Sequence, residues 1–115
     1  MADASEPETW IDLCDADDVR PGGEQGHYVE AAGRSVAVFR PDDEQVVVCD
    51  NACPHAGASL AGGHIRDGCV VCPFHFWAFD TDSGACPDNP AIGVAVYPAR
   101  IQDGRIEAQL PATAL

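Results

Sequence analysis

The chain has 115 residues, of which 19 are Asp or Glu and 6 are Arg, with no Lys, so its formal net charge is −13. This length predicts a single domain spanning residues 1–115, and an apolar fraction of 46% is ordinary for a globular protein. The acid excess argues against nucleic acids and anionic membranes as partners, because both would repel the chain.

The apolar pattern predicts a cytoplasmic location. No apolar run approaches the ~18 residues that a membrane-spanning helix needs. The N-terminal stretch MADASEPETWIDL contains four acids and no apolar run of signal-peptide length. In a reducing compartment the six cysteines are expected to be metal ligands or buried thiols and not disulfides.

Short β-rich runs separated by turn residues predict an all-β fold, an antiparallel sandwich or a small barrel. A short helical turn is expected near residues 15–19, and Asp103-Gly104 is typical of a two-residue hairpin turn. Further turns are predicted at Gly33-Arg34, residues 41–43 and Asp67-Gly68. Strands are predicted at residues 10–14, 27–31, 35–40, 45–49, 68–71, 77–80, 94–102 and 105–110.

Two segments rich in Gly, Pro and small residues match no strand pattern and are predicted to be ordered loops. They are residues 51–63 and residues 82–90, the second reading DSGACPDNP. Both are expected to project from the β scaffold.

Two short phrases place a cysteine beside a histidine. Cys53-x-His55 is followed, after sixteen residues, by Cys72-x-x-His75. A thiolate and an imidazole two positions apart can face the same side of an extended loop, so the phrases offer two ligand pairs. This mixture suits tetrahedral zinc, or a two-iron cluster in which two histidines replace two cysteines on one iron.

The remaining cysteines suggest an alternative metal site made of four cysteines. Cys49 and Cys53, with Cys69 and Cys72, also have the spacing of a Cys₄ zinc site. Against this, Cys49 and Cys69 lie in predicted strands, where they would pack as small hydrophobic residues. Cys14 and Cys86 have no partner at ligand spacing and are expected to be free thiols.

Four aromatic residues and two further histidines complete the candidates. His27 and His64 lie outside any paired phrase and are expected to be polar surface residues. Trp77 and Phe79 alternate along a strand and are expected in the core. Phe74 and Phe76 flank His75 and are expected to shield a metal centre, with a contact patch as the alternative.

The spacing of the two phrases resembles that of Rieske [2Fe-2S] proteins. CPHAGASLAGG and CPFHFWAFDTDSG are similar to the two cluster loops of that family, and CPDNPA to its proline-bearing third loop. VAVYPARIQDGRIEAQL is similar to the hairpin that closes small members, so the likeness covers about residues 10–110. It implies a Rieske-type antiparallel β-sandwich whose cluster-binding subdomain, about residues 50–90, is formed by two Gly/Pro-rich loops.

The resemblance also implies a cofactor and its ligands: one [2Fe-2S] cluster per chain, with Cys53 and Cys72 on one iron and His55 and His75 on the other. Family members of high potential carry an inter-loop disulfide and two hydroxyl donors to cluster sulfur. The matching positions here are Ala58, Phe74, Trp77 and Phe79, which supply neither, so a low potential is expected.

No catalytic apparatus accompanies these ligands in the sequence, so the chain is expected to be an electron carrier and not an enzyme. The first expected role is a ferredoxin between a flavin reductase and a terminal oxygenase. The alternatives are the small subunit of an NAD(P)H nitrite reductase, bound to its large subunit, and a zinc-stabilised binding module without redox function.

Overall fold

A computed structural model describes residues 10–54, 57–74 and 76–110. In these ranges the protein is almost entirely β, with two single-turn 3₁₀ helices, Ala16–Asp18 and Leu60–Gly62. No helix in the described ranges is long and apolar enough to cross a membrane. The strands are β1 Ile11–Asp15, β2 His27–Ala31, β3 Arg34–Phe39, β4 Val47–Asp50, β5 His64–Arg66, β6 Cys69–Val71, β7 Ala78–Asp80, β8 Ala85–Cys86, β9 Asn89–Gly93, β10 Val96–Tyr97, β11 Ala99–Gln102 and β12 Arg105–Ala108.

All the strand pairs are antiparallel, which confirms the predicted fold class. A three-stranded sheet has the order β1-β12-β11, and a four-stranded sheet has the order β10-β4-β3-β2. A second three-stranded sheet, β5-β6-β7, and the hairpin β8-β9 follow the first predicted loop.

Strand β3 of the four-stranded sheet is buried on both faces over its last four residues. Because successive residues of a strand point to opposite sides, Val36 and Val38 of β3 enter a core shared with β1 and β12. Ala37 and Phe39 of the same strand enter a second core, which also contains Cys53 and Cys72. The continuous apolar run of β3 therefore supports the sandwich with one face and the predicted cluster loops with the other.

Tight turns follow the chemistry of their residues. In the turn between β11 and β12, Asp103 and Gly104 both have positive φ, and Gln102 pairs with Arg105 across it, as a type I′ hairpin requires. Asp67-Gly68 makes the same turn between β5 and β6. Between β2 and β3 the turn is centred on Ala32-Gly33, one residue earlier than predicted.

Three predictions about the strands were wrong. The predicted strand at residues 94–102 is divided at Pro98 into β10 and β11, which belong to different sheets; proline has no N–H for the ladder. Residues 82–90, predicted as loop, contribute β8 and the start of β9. Strand β5 was not predicted at all, because three residues after a Gly-Gly pair carry little periodic signal.

The predicted helical turn near residues 15–19 is confirmed as the 3₁₀ helix Ala16–Asp18. The Asp15 side chain accepts from the Asp17 N–H, and the Asp18 side chain accepts in return from the Asp15 N–H, a reciprocal cap.

Candidate metal centre

The first predicted cluster loop begins where β4 ends and is closed by Asn51. The side chain of this residue is 8% exposed, and its Oδ1 accepts from the Ala61 N–H at 2.9 Å and from the Ser59 hydroxyl at 3.1 Å. Its backbone carbonyl also accepts from the Leu60 N–H at 2.8 Å. Asn51 therefore joins the far end of the loop to the end of β4. These hydrogen bonds also satisfy the polar groups of Asn51, as its burial requires.

Cys53 lies inside this closed loop. Its N–H donates to the Ala58 carbonyl at 2.9 Å, and its own carbonyl accepts from the Gly57 N–H at 2.6 Å. The side chain is 2% exposed. The loop backbone thus fixes where the Cys53 sulfur points.

Cys72 follows β6 and is held by its own loop. Its N–H donates to the Trp77 carbonyl at 2.6 Å, and its Sγ accepts from the Phe74 N–H at 3.4 Å. The sulfur therefore already has an N–H donor of the kind that stabilises negative charge on a thiolate.

The two loops bring Cys53 and Cys72 together, with their thiols in hydrogen-bonding contact in the same buried core. Burial raises the pKa of Cys72, and the contact with Cys53 raises it further, against the lowering effect of the Phe74 N–H. Two converging buried sulfurs fit one metal ion, whose positive charge would offset the cost of ionising both.

His55 and His75, predicted as the other two ligands, lie outside the described residues. They stand two residues after Cys53 and three after Cys72, in the loops just described. Their role stays a prediction.

The rival Cys₄ site does not assemble. Within the described ranges, no three of Cys49, Cys53, Cys69 and Cys72 bring their sulfurs within 4.8 Å of one another. Cys49 is fully buried on β4, where burial, with a smaller effect of Asp50, raises the pKa of its thiol to about 12. A thiol in that setting behaves as a small hydrophobic residue.

The four aromatic residues near the second loop divide into a pair that packs in the core and an exposed pair. Phe79 is fully buried and Trp77 packs partly against the same core, as expected. Phe74 and Phe76 are 58% and 73% exposed, so they present apolar surface to solvent. Phe76 also has a φ of 58°, a backbone conformation that a bulky residue rarely adopts.

The thiols that match no ligand phrase are all unpaired, as predicted, and Cys86 is buried in the core that holds Cys53 and Cys72. His64 is half-buried on β5. Sequence reasoning missed one grouping: the ligand atoms of Cys14, Asp18 and His27 lie within 4.8 Å of one another. Their spacing along the chain follows no ligand motif, so only the folded structure reveals them.

Comparison with known proteins gives a consistent result. The family description "Rieske [2Fe-2S] domain" matches residues 9–98. A ferredoxin subunit of anthranilate 1,2-dioxygenase from Burkholderia cepacia is 41% identical over 70% of this chain and 74% of its own length. A cholesterol 7-desaturase from Hemicentrotus pulcherrimus is 39% identical over 73% of this chain, which spans only 18% of that relative.

Solved structures agree. A protein from Mycobacterium tuberculosis, assigned as the small subunit of an NADH-dependent nitrite reductase, superposes with a TM-score of 0.80 and 36% identity, covering 91% of this chain and 97% of its own. A ferredoxin from Sphingomonas yanoikuyae B1 superposes with a TM-score of 0.74 and 32% identity, and the match covers 90% of this chain and 100% of the ferredoxin. The chain therefore belongs to the Rieske [2Fe-2S] family, which confirms the expected cofactor type and its one-electron redox chemistry.

Proposed function

We propose that this chain is a Rieske-type ferredoxin that receives one electron from a flavin reductase and delivers it to a terminal oxygenase. The observation that carries the proposal is the likeness to a dioxygenase ferredoxin subunit, which extends over most of both chains. When bound, a [2Fe-2S] cluster supplies a site that accepts and releases a single electron. The proposal treats residues 1–115 as one such domain in the cytoplasm, without nucleic acid or membrane partners.

The proposed ligands are Cys53 and Cys72 for one iron and His55 and His75 for the other. The support for the cysteine pair is its convergence in a buried site with the Phe74 N–H on one sulfur. The histidine pair rests on its place in the same two loops. Freshly isolated protein should contain iron and acid-labile sulfide in equal amounts; stoichiometric zinc without sulfide would overturn the assignment.

Phe74 and Phe76 are proposed as the contact surface for the redox partner. Both are exposed and both neighbour His75, a proposed ligand. Phe76 contributes little to the core, and its positive φ carries a backbone cost, so folding alone gives no reason for an aromatic residue there. Replacing both by Ser should slow electron delivery to the partner, whereas Tyr28→Ser, at an exposed aromatic on β2, should not.

The potential is proposed to lie near the bottom of the Rieske range, about −150 mV. Ala58 and Phe74 preclude the inter-loop disulfide, and the fully buried Phe79 offers no hydroxyl. Protein-film voltammetry tests this directly, and a midpoint well above zero would contradict it. Phe79→Tyr should raise the midpoint by about 40 mV if its hydroxyl favours the reduced state by about 1 kcal/mol.

A second candidate is the small subunit of a nitrite reductase, favoured by the fit to the Mycobacterium tuberculosis structure over nearly all of both chains. A tagged chain recovered from its native cell separates the two. Recovery with a flavin reductase or an oxygenase supports the ferredoxin, and stoichiometric recovery with a sirohaem-containing large subunit replaces it with the second candidate.

A further inference from the structure

A thiol, a carboxylate and an imidazole meet at a place remote in sequence from the two cluster loops. Cys14 is on β1, Asp18 ends the following 3₁₀ helix, and His27 is the first residue of β2. The Cys14 sulfur, a carboxylate oxygen and a ring nitrogen lie within 4.8 Å of one another. Cys14 belongs to the core between the two large sheets and not to the one that holds Cys53 and Cys72.

These three groups are ligand types that zinc accepts. In a tetrahedral site with bonds of about 2.0–2.3 Å, neighbouring ligand atoms stand about 3.5 Å apart, so a modest side-chain adjustment would close the present group on an ion. A surface cavity of about 160 Å³ is lined in part by Asp18 and His27, so two of the three groups are open to solvent.

The backbone holds the three side chains on ordered elements. A β-bulge between Asp12 and Cys14 changes the pairing of β1 with β12 immediately before the cysteine, and bulges commonly redirect a side chain. The Asp18 carboxylate is oriented by the Asp15 N–H, which donates to its Oδ2 at 3.3 Å, and further lone pairs stay available. Such outer contacts are what position metal ligands.

Two long-range contacts fix the helix itself. The Arg40 guanidinium donates to the carbonyls of Ala16 and Val19 at 3.1 and 3.3 Å, and the Ala16 N–H donates to the Gly104 carbonyl at 2.9 Å. The backbone just before His27 is also closely packed. A Cβ added at Gly26 would lie 2.7 Å from the Phe39 ring, so the start of β2 is held against the core.

The charges around the three groups are of both signs, so it is the ligand types and their geometry that favour a metal ion. Burial raises the pKa of the Cys14 thiol, Asp18, Asp12 and Asp15 raise it further, and Arg105 opposes them. Arg105 is already engaged by Asp12 through two bonds of 2.6 and 2.9 Å, so its charge is largely balanced. The Asp15 carboxylate lies 3.9 Å from Arg105 Nη1. Arg40 contacts the helix and Arg20 lines the cavity, so the positive and negative charges around the site are balanced.

From this geometry we propose that Cys14, Asp18 and His27 form a second metal site, which binds one Zn²⁺ with water as the fourth ligand. Binding exchanges the Cys14 S–H proton for the metal, and the proton leaves to solvent. Because Cys14 belongs to the β1-β12-β11 sheet and His27 to the β10-β4-β3-β2 sheet, the ion would join the two sheets. Its role is to stabilise the sandwich.

Equilibrium dialysis of the cluster-loaded protein against Zn²⁺ alone tests the site, with the visible spectrum and iron content monitored so that the cluster stays intact. The wild type should bind one Zn²⁺ per chain. His27→Gln and Asp18→Asn should each weaken binding by about 10- to 100-fold or more. The matched controls, His64→Gln on β5 and Asp17→Asn in the same 3₁₀ helix, should bind as the wild type does.

Two further measurements make the result independent of folding defects. Zn²⁺ should raise the melting temperature of the wild type and of both controls, but not of His27→Gln. With Co²⁺ as the probe, a thiolate charge-transfer band should appear in the difference spectrum and be absent from Cys14→Ser. Equal Zn²⁺ binding by His27→Gln and the wild type, or no stoichiometric binding by the wild type, would overturn the proposal while leaving the ferredoxin function untouched.

Discussion

At the scale of single residues, the cysteines separate by environment and not by chemistry. Cys53 and Cys72 converge between two loops, whereas Cys49 faces the core from β4 and Cys69 is half-buried on β6. A cysteine is thus a proposed ligand where two loops orient a pair of sulfurs toward each other. On a strand, where no second sulfur faces it, the cysteine packs as a small hydrophobic residue.

Alanine replacements should expose this difference. Cys53→Ala and Cys72→Ala should abolish the visible absorption of the centre and its iron and sulfide, because each removes one of two converging sulfurs. Cys49→Ala and Cys69→Ala, the matched controls, should retain the spectrum and lose only packing free energy. Loss of the centre in both controls would mean that Cys49 and Cys69 are ligands after all.

Tyr97 contributes stability that depends on pH. Its hydroxyl donates to Asp50 Oδ1 at 2.5 Å and accepts from Arg34 Nη1 at 3.1 Å. Burial, followed by the Asp50 contact, raises the pKa of Tyr97 from 10.0 to about 12. Since the folded state holds this proton more tightly than the unfolded state, the contribution is complete below about pH 10 and is lost as the pH rises toward 12.

Tyr97→Phe should therefore lower the free energy of unfolding at pH 7 by about 2 kcal/mol, because it removes a hydrogen bond to a charged group. It should also reduce the loss of stability between pH 10 and 12. Urea denaturation across this range measures both effects. Tyr28→Phe, on the same sheet but exposed, should cost less at pH 7, and equal losses in the two variants would contradict the argument.

At the scale of elements, each cluster loop is closed by hydrogen bonds between residues next to its flanking strands. Asn51 does this for the first loop by accepting three hydrogen bonds, two at its side-chain Oδ1 and one at its backbone carbonyl. The described ends of the loop are thereby held together before any cofactor is present, which lowers the entropic cost of holding one.

Removing this closure should loosen the cofactor. Asn51→Ala would leave the buried Ala61 N–H without its partner, at a cost of about 1–3 kcal/mol. The visible absorption should then decay faster in the presence of an iron chelator. Ser59→Ala, which removes only the 3.1 Å contact, should have a smaller effect, and unchanged decay in Asn51→Ala would show that the closure does not protect the site.

At the scale of the whole molecule, the formal charge of −13 is the dominant long-range feature. Such a charge attracts basic partners through water and is screened as salt is added, because the Debye length falls from about 30 Å at 0.01 M to about 8 Å at 0.15 M.

Electron transfer from the reduced protein to cytochrome c, a basic one-electron acceptor, should therefore slow by at least about tenfold between these salt concentrations. Stopped-flow measurement of cytochrome reduction gives the rate. A neutral acceptor such as ferrocene methanol serves as the control and should show little salt dependence. A rate to cytochrome c that does not fall with salt would show that the acidic surface does not guide association.

The sequence by itself determined the fold class, the turns at Asp67-Gly68 and Asp103-Gly104, and the family. Each depends on neighbouring residues: an alternating pattern specifies a strand, and an Asp-Gly pair specifies a tight turn. The Asp67-Gly68 turn even contained a signal for β5, since a two-residue hairpin needs a strand on each side. The family is recognised from the paired Cys/His phrases, which are also motifs of neighbouring residues.

Only the tertiary structure decided which segments pair and which distant side chains meet. The β8-β9 hairpin forms although Pro90 lies in β9 and has poor strand propensity, because packing beside the cluster loops outweighs local preference. Pro98 divides one apolar run between two sheets. Cys14, Asp18 and His27 converge through a bulge, a 3₁₀ turn and the start of another sheet, and no spacing along the chain encodes that meeting, since it depends on how two sheets stack.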